Sequence, residues 1–188
     1  MNIPPGHEIN FIEVVEANPP KVAHYFGDIG IAVPPGRLEL YANVLSDEKR
    51  SELENLALKI LTTLPHTPID ALGVNFRFED SDPDPSAVDK LWTHEGLETR
   101  FEVVASTIRS RIKTDDCDLF LLRETIDGGF AVDFNFHHPE ITVEKLSEIL
   151  PGVINNRFER AKAILQDLYE IEIEEAVIAH QFPAVATA

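Results

Sequence analysis

Cations, sulfur and long apolar runs are all scarce in this chain. Its 188 residues carry 16 Lys and Arg against 33 Asp and Glu, a formal charge of −17. A surplus of carboxylates repels a phosphate backbone, so nucleic acid is not an expected partner. Cys117 is the single cysteine, which excludes an intrachain disulfide and fits a reducing cytoplasm. No apolar run approaches the roughly 18 residues of a membrane span. Residues 1–8 lack the basic and apolar regions of a secretory leader, and residues 182–188 end in no lipidation box. These absences lead us to expect a soluble cytoplasmic protein with no membrane partner.

Catalytic and cofactor signatures are missing as well. There is no GxxxxGK[ST] phosphate cradle, no GxGxxG, no GxSxG elbow, no HExxH and no paired CxxC. Gly27-Asp28-Ile29-Gly30 is too short for a dinucleotide turn and lacks the strand-to-helix context. No cofactor is expected, and whether the protein is an enzyme stays open.

What is present is an ordinary globular balance, with 44% apolar and 26% charged residues. Three equally spaced Pro-Pro pairs, Pro4-Pro5, Pro19-Pro20 and Pro34-Pro35, punctuate residues 1–45. Proline lacks a ladder donor, so each pair marks a strand start or an edge break, with strands expected within 9–15, 22–33 and 38–44. A helix follows, capped by Ser46 or Asp47 and ended by Pro65, with Leu53, Leu56, Ala57, Ile60, Leu61 and Leu64 on one stripe. Residues 69–79 alternate as a strand, with Leu72, Val74, Phe76 and Phe78 on its apolar side. Asp84 then caps a short helix with Pro85 in its first turn and Gly96 as a stop; Val88, Leu91 and Trp92 form its inner face.

Residues 101–138 read as β-structure turning at Asp115-Asp116 and again at Asp127-Gly128-Gly129. In the last strand Phe130, Val132, Phe134 and Phe136 share one face, and Ala131, Asp133, Asn135 and His137 the other. A two-residue loop puts Leu119 and Leu121 on the phenylalanine face and Phe120 and Leu122 beside Asn135 and Asp133. A three-residue loop with a bulge swaps those sets. Either way one strand is apolar on both faces and calls for cover on both sides. The last third is helical: a Thr142-capped turn, a break at Pro151-Gly152, then Ile154, Phe158, Ala161, Leu165 and Leu168 in heptad-like steps. The acidic alternation of residues 170–174 fits either a strand or a fraying helix end.

The expected fold is therefore one α+β domain over 1–188, made of the Pro-Pro segment 1–45, a core at 46–138 and a helical segment at 139–188. Its sheet, antiparallel or mixed, would have six or seven strands with two longer amphipathic helices on one face.

Four clusters are candidates for chemistry. Asp133, Asn135 and His137, with His138 next in sequence, present a carboxylate, an amide and imidazoles that suit acid–base work or a divalent metal. A metal there needs a further ligand, for which His66 or His94 is available. The solvated face of a strand accounts for the same pattern. Arg109, Arg111 and Lys113 form the one concentrated basic row, extendable by Arg77 and Arg123 into an anion- or partner-binding patch. The run at 79–84 resembles half a calcium loop, but Pro85 and Leu91 occupy the positions that need glycine and a bidentate glutamate. Cys117 lies between Asp116 and Asp118, which disfavours a thiolate nucleophile.

Three functions fit these residues. The first is a non-catalytic protein acting through self-association, a dimer foremost, or through binding of another protein. The second is a ligand- or metal-binding domain or small enzyme built on Asp133, Asn135 and His137. The third is an acidic mimic of nucleic acid. The two-faced apolar hairpin and the missing motifs favour the first.

Overall fold

A computed structural model describes residues 11–15, 21–42, 45–92 and 104–172. Its architecture is α+β, but the strands divide between two sheets of four rather than forming one of six or seven. Strands β1 (Phe11–Val15), β2 (Lys21–Phe26), β3 (Ile29–Ala32) and β4 (Glu39–Ala42) form an antiparallel meander. Strands β5 (Ala71–Asp80), β6 (Thr107–Lys113), β7 (Asp118–Ile126) and β8 (Gly129–Pro139) form the second sheet in the order β5-β8-β7-β6.

The division follows from α1 (Asp47–Thr63), which separates the sheets in sequence and buries residues toward each. Leu53 and Leu56 join Ile29, Leu40 and Ala42 of the first sheet, whereas Ala57, Leu58 and Leu61 join the core of the second. A helix with two apolar flanks holds two sheets apart. Residues 1–10 and 16–20, with two of the Pro-Pro pairs, lie outside the described residues; Pro34-Pro35 precedes β4 in a turn.

Local signals act where the chemistry places them. Ser46 accepts from Lys49 N at 3.3 Å and starts α1. Asp84 accepts from Ser86 N at 2.8 Å and starts α2 (Pro85–Leu91). Thr142 accepts from Lys145 N at 3.3 Å and starts α3 (Val143–Ile149). The proposed Gly96 stop lies outside the described residues. Helix α4 (Val153–Tyr169) has no such local cap. Instead Glu54, buried on α1, accepts from Gly152 N at 2.8 Å and Ile154 N at 2.7 Å. A carboxylate from a distant helix thus satisfies the positive end of α4 and locks the two helices together. Beside it Arg50 donates to Asn155 Oδ1 at 2.5 Å and to Leu45 O at 2.7 Å, and its guanidinium lies 4.1 Å from the centre of the Phe158 ring.

The main core lies between α4 and one face of the second sheet. Phe130, Val132, Phe134 and Phe136 of β8 are almost completely buried there, with Val74, Phe76 and Phe78 of β5 and Leu119 and Leu121 of β7. Phe76 meets Phe158 edge-on at 5.6 Å and Phe78 meets Phe134 at 5.7 Å. Asp127-Gly128 makes a two-residue turn, with Gly128 at φ 78° and Ile126 paired with Gly129. At Gly129 an added Cβ would sit 1.8 Å from Asp80 O, so only glycine lets the hairpin close against the end of β5.

Candidate functional site

The two-residue turn fixes the register of β7 on β8 and thereby the composition of the second sheet's other face. Reading across β6, β7, β8 and β5, paired residues form four rows. They are Thr107-Glu124-Ala131-Glu79, Arg109-Leu122-Asp133-Arg77, Arg111-Phe120-Asn135-Asn75 and Lys113-Asp118-His137-Gly73. Three features that stand apart in the sequence thus share one surface: the Asp133/Asn135/His137 row, the Arg109/Arg111/Lys113 row and the second apolar face of the hairpin. Among the described residues no helix packs on this surface, since α4 and α1 contribute to the core on the opposite side.

Arg77 organises one flank. It donates to Glu79 Oε1 at 2.5 Å, Glu124 Oε1 at 2.6 Å and Asp133 Oδ2 at 2.7 Å. Burial works against its charge, but those hydrogen bonds and the charge of Asp133 raise its pKa further above the ordinary arginine value. Asp133 moves the other way from most paired carboxylates. Burial, together with the charges of Glu124 and Glu79, raises its pKa despite the attraction of Arg77. The cluster is held by a cation that is outnumbered.

The opposite flank is the β6 row. Arg111 donates to Asp118 Oδ2 at 2.5 Å and also lies 5.4 Å from the centre of the Phe120 ring. The hydrogen bond from Arg111, with the nearby Lys113 and His137, lowers the Asp118 pKa. Arg109 and Lys113 form no ion pair within 4 Å among the described residues and are exposed. Phe120 and Leu122 run down the middle, half-buried, with the His137 ring edge-on to Phe120 at 6.1 Å. Asn135 Oδ1 is buried beside them without a hydrogen-bond donor among the described residues. Gly73 leaves that corner open: an added Cβ would be 3.6 Å from Asn75 Nδ2 and 3.9 Å from Asn135 Oδ1.

Several sequence candidates fall elsewhere. His138 points to the core side, where its Nε2 lies 3.5 Å from Arg157 Nη2, so it cannot join His137 on one ligand. Burial, then the Arg157 charge, lowers its pKa. Arg123 also lies on the core side, donating to Leu91 O at 3.1 Å with the Tyr169 ring 5.7 Å away, and does not extend the basic row. Arg77 is on the right face, but its three carboxylates absorb its charge. His66 is exposed on the turn after α1, and His94 lies outside the described residues. No group of three His, Cys, Asp or Glu side chains among the described residues is placed to hold a metal.

In the acidic run, Asp80 accepts from Asp82 N at 3.0 Å and Asp84 caps α2, as a loop-and-cap requires. Cys117 is buried, with Thr114 Oγ1 3.4 Å from its sulfur. Its neighbours Asp116 and Asp118 turn away to arginines, Asp116 to Arg157 and Arg160 and Asp118 to Arg111.

Sequence reasoning missed Glu124 as a member of the surface, and it placed Asn75 and Glu79 on the polar side of their strand without joining that side to the Asp133 row. Their signal is parity: each sits an even number of residues from a face member on its own strand, legible once the turn length is known. No helix among the described residues is long and apolar enough to cross a membrane. No family model, curated protein or solved structure matches the chain.

Proposed function

We propose that the protein is a cytoplasmic, non-catalytic association protein whose open sheet face pairs with the same face of a second copy. The observation that carries this reading is a charge-balanced face with an apolar centre on a chain of charge −17. Its cations Arg77, Arg109, Arg111 and Lys113 are matched one for one by Glu79, Asp118, Glu124 and Asp133. Two copies repel each other over most of their surface, and this face is where they meet without net repulsion. Phe120 and Leu122 supply apolar area at its centre, and a covering partner can supply the donor that Asn135 Oδ1 lacks.

The charge distribution also selects an orientation. A two-fold axis parallel to the strands, between β7 and β8, sets β6 of one copy across from β5 of the other. That axis keeps each row opposite itself, so Arg109 then lies across from Arg77 and its three carboxylates, a cluster of net negative charge, and Arg111 lies across from Asn75. An axis across the strands would stack β6 on β6, cation on cation. Strands about 4.8 Å apart and same-face residues about 6.7 Å apart give a face of roughly 20 by 25 Å, so the interface is small and its affinity modest.

Light scattering over a concentration series into the high micromolar range tests the reading. The expected mass rises toward twice the 21.1 kDa of the chain. Leu122→Arg, whose new charge lies between Asp133 and Arg109 of its own chain, is expected to abolish the rise while lowering the melting temperature of the monomer only slightly. A mass that stays at one chain throughout the series overturns the proposal.

A further inference from the structure

The outer edge of β6, which borders the open face, is a second feature. Among the described residues β6 pairs only with β7, leaving one row of backbone amides and carbonyls without a strand partner. Edges of this kind recruit further strands unless something discourages them. Here Arg109, Arg111 and Lys113 alternate along the strand and are all exposed, while Ile112 on the other face is 43% exposed. Cations at alternate positions discourage one partner in particular. If β6 pairs antiparallel with β6 of another copy about Ser110, Arg109 falls opposite Arg111 in both directions, and like charges directly opposite are destabilising.

The same row attracts a strand of opposite sign. Only 16 of the 188 residues are Lys or Arg, yet three occupy alternate places on this seven-residue edge. We infer that the edge of β6 is a strand-addition site for an extended acidic segment of a partner protein, with carboxylates at every second residue facing Arg109, Arg111 and Lys113. Backbone hydrogen bonds supply the pairing and the cation row supplies the choice of partner. Same-face residues of the added strand recur about every 6.7 Å, the spacing of the cations. The apolar residues between its carboxylates fall on the side of Ile108 and Ile112. An added strand widens the sheet rather than lying on it, so this inference does not require copies to pair, although Arg109, Arg111 and Lys113 also belong to the open face and Arg111 holds Asp118 there.

Fluorescence anisotropy with labelled nine-residue peptides tests it on the full chain. Three probes are compared: alternating glutamate and valine, alternating lysine and valine, and the acidic peptide N-methylated on the amides of one edge. The acidic peptide is expected to bind at least tenfold more tightly than the basic one. N-methylation is expected to remove most of that affinity, since charge attraction alone is indifferent to it. Arg109→Glu with Arg111→Glu, both at exposed positions, is expected to reverse the preference toward the basic peptide. Leu122→Arg is expected to leave peptide binding in place, which separates this site from the open face. Equal binding of the methylated and unmethylated acidic peptides, or a preference unchanged by the double substitution, overturns the inference.

Discussion

The two faces of β8 begin one residue apart and end in different physics. On one, Phe130, Val132, Phe134 and Phe136 are removed from water by α4 and the neighbouring strands. On the other, Ala131, Asp133, Asn135 and His137 meet charges, amides and the half-buried Phe120 and Leu122. The first face is stabilised by area and packing, which need only apolar side chains of suitable volume. The second is held by specific pairs, Arg77 with Glu79, Glu124 and Asp133 and Arg111 with Asp118, and leaves Arg109 and Lys113 exposed. A face of the first kind explains why the chain folds; a face of the second kind is available for recognition.

Replacing one phenyl ring on each face gives the widest separation between them. Phe134→Ala is expected to destabilise the protein by about 3–5 kcal/mol, because the ring is almost fully buried and leaves a cavity among other aromatics. Phe120→Ala is expected to cost the monomer about 1 kcal/mol, since that ring is half-exposed and rests on Arg111 and His137. Urea unfolding of both variants, at a concentration where the chain is monomeric, measures the gap. Equal losses would mean that the open face is as much core as the other, and the contrast would collapse.

The contrast also marks how far the sequence could be read. Period-two alternation in β5 and β8 and the caps Ser46, Asp84 and Thr142 are local properties, and each acts in the structure as local chemistry demands. Strand pairing is not local. The division into two sheets depends on the two apolar flanks of α1, which a single helical stripe conceals. Which side Phe120, Leu122 and Arg123 take depends on the length of one turn. The carboxylate of Glu54 caps α4 from far away in sequence, so no pattern near residue 152 announces it. The Asp133, Asn135 and His137 row was legible as a face. Its neighbours were not, because they arrive from β5, β6 and β7 by register.

Arg77 sharpens the comparison from the electrostatic side. Arg77→Met leaves Glu79, Glu124 and Asp133 without their shared cation, at an expected cost of about 2 kcal/mol at neutral pH. The Asp133 pKa is already raised in the folded protein, so the native state holds its proton to higher pH than the unfolded chain does. Between those two pKa values stability falls as pH rises, and at neutral pH the ionised group subtracts from stability. Removing Arg77 widens that window. The variant should therefore recover stability as pH is lowered toward 4, whereas Phe134→Ala should show no such recovery. Denaturation midpoints at pH 7 and pH 5 decide it: parallel losses at both would show that Arg77 acts by packing alone.

The smallest expected effect comes from a carboxylate on neither face. Asp116, on the β6–β7 turn, accepts from Arg157 and, at 3.3 Å, from Arg160 of α4. Burial opposes its ionisation, but hydrogen bonds from Arg157 and Thr114 and the charges of both arginines bring its pKa down to about 2, from an ordinary 3.8. A depressed carboxylate pKa adds stability that is complete above the unfolded value and lost as pH falls through the folded one. The side chain is half-exposed, so solvent screening keeps the contribution small. Asp116→Asn should lower the melting temperature slightly at pH 7 and flatten the acid limb between pH 3.8 and about 2. His138, on the core side beside the same Arg157, has a lowered pKa and acts at higher pH. Below its ordinary 6.5 the unfolded chain takes the proton first, so stability falls as pH drops through that range. An acid limb in Asp116→Asn identical to that of the parent would show that the turn is held by its backbone contacts, with the arginines of α4 adding nothing to the clamp.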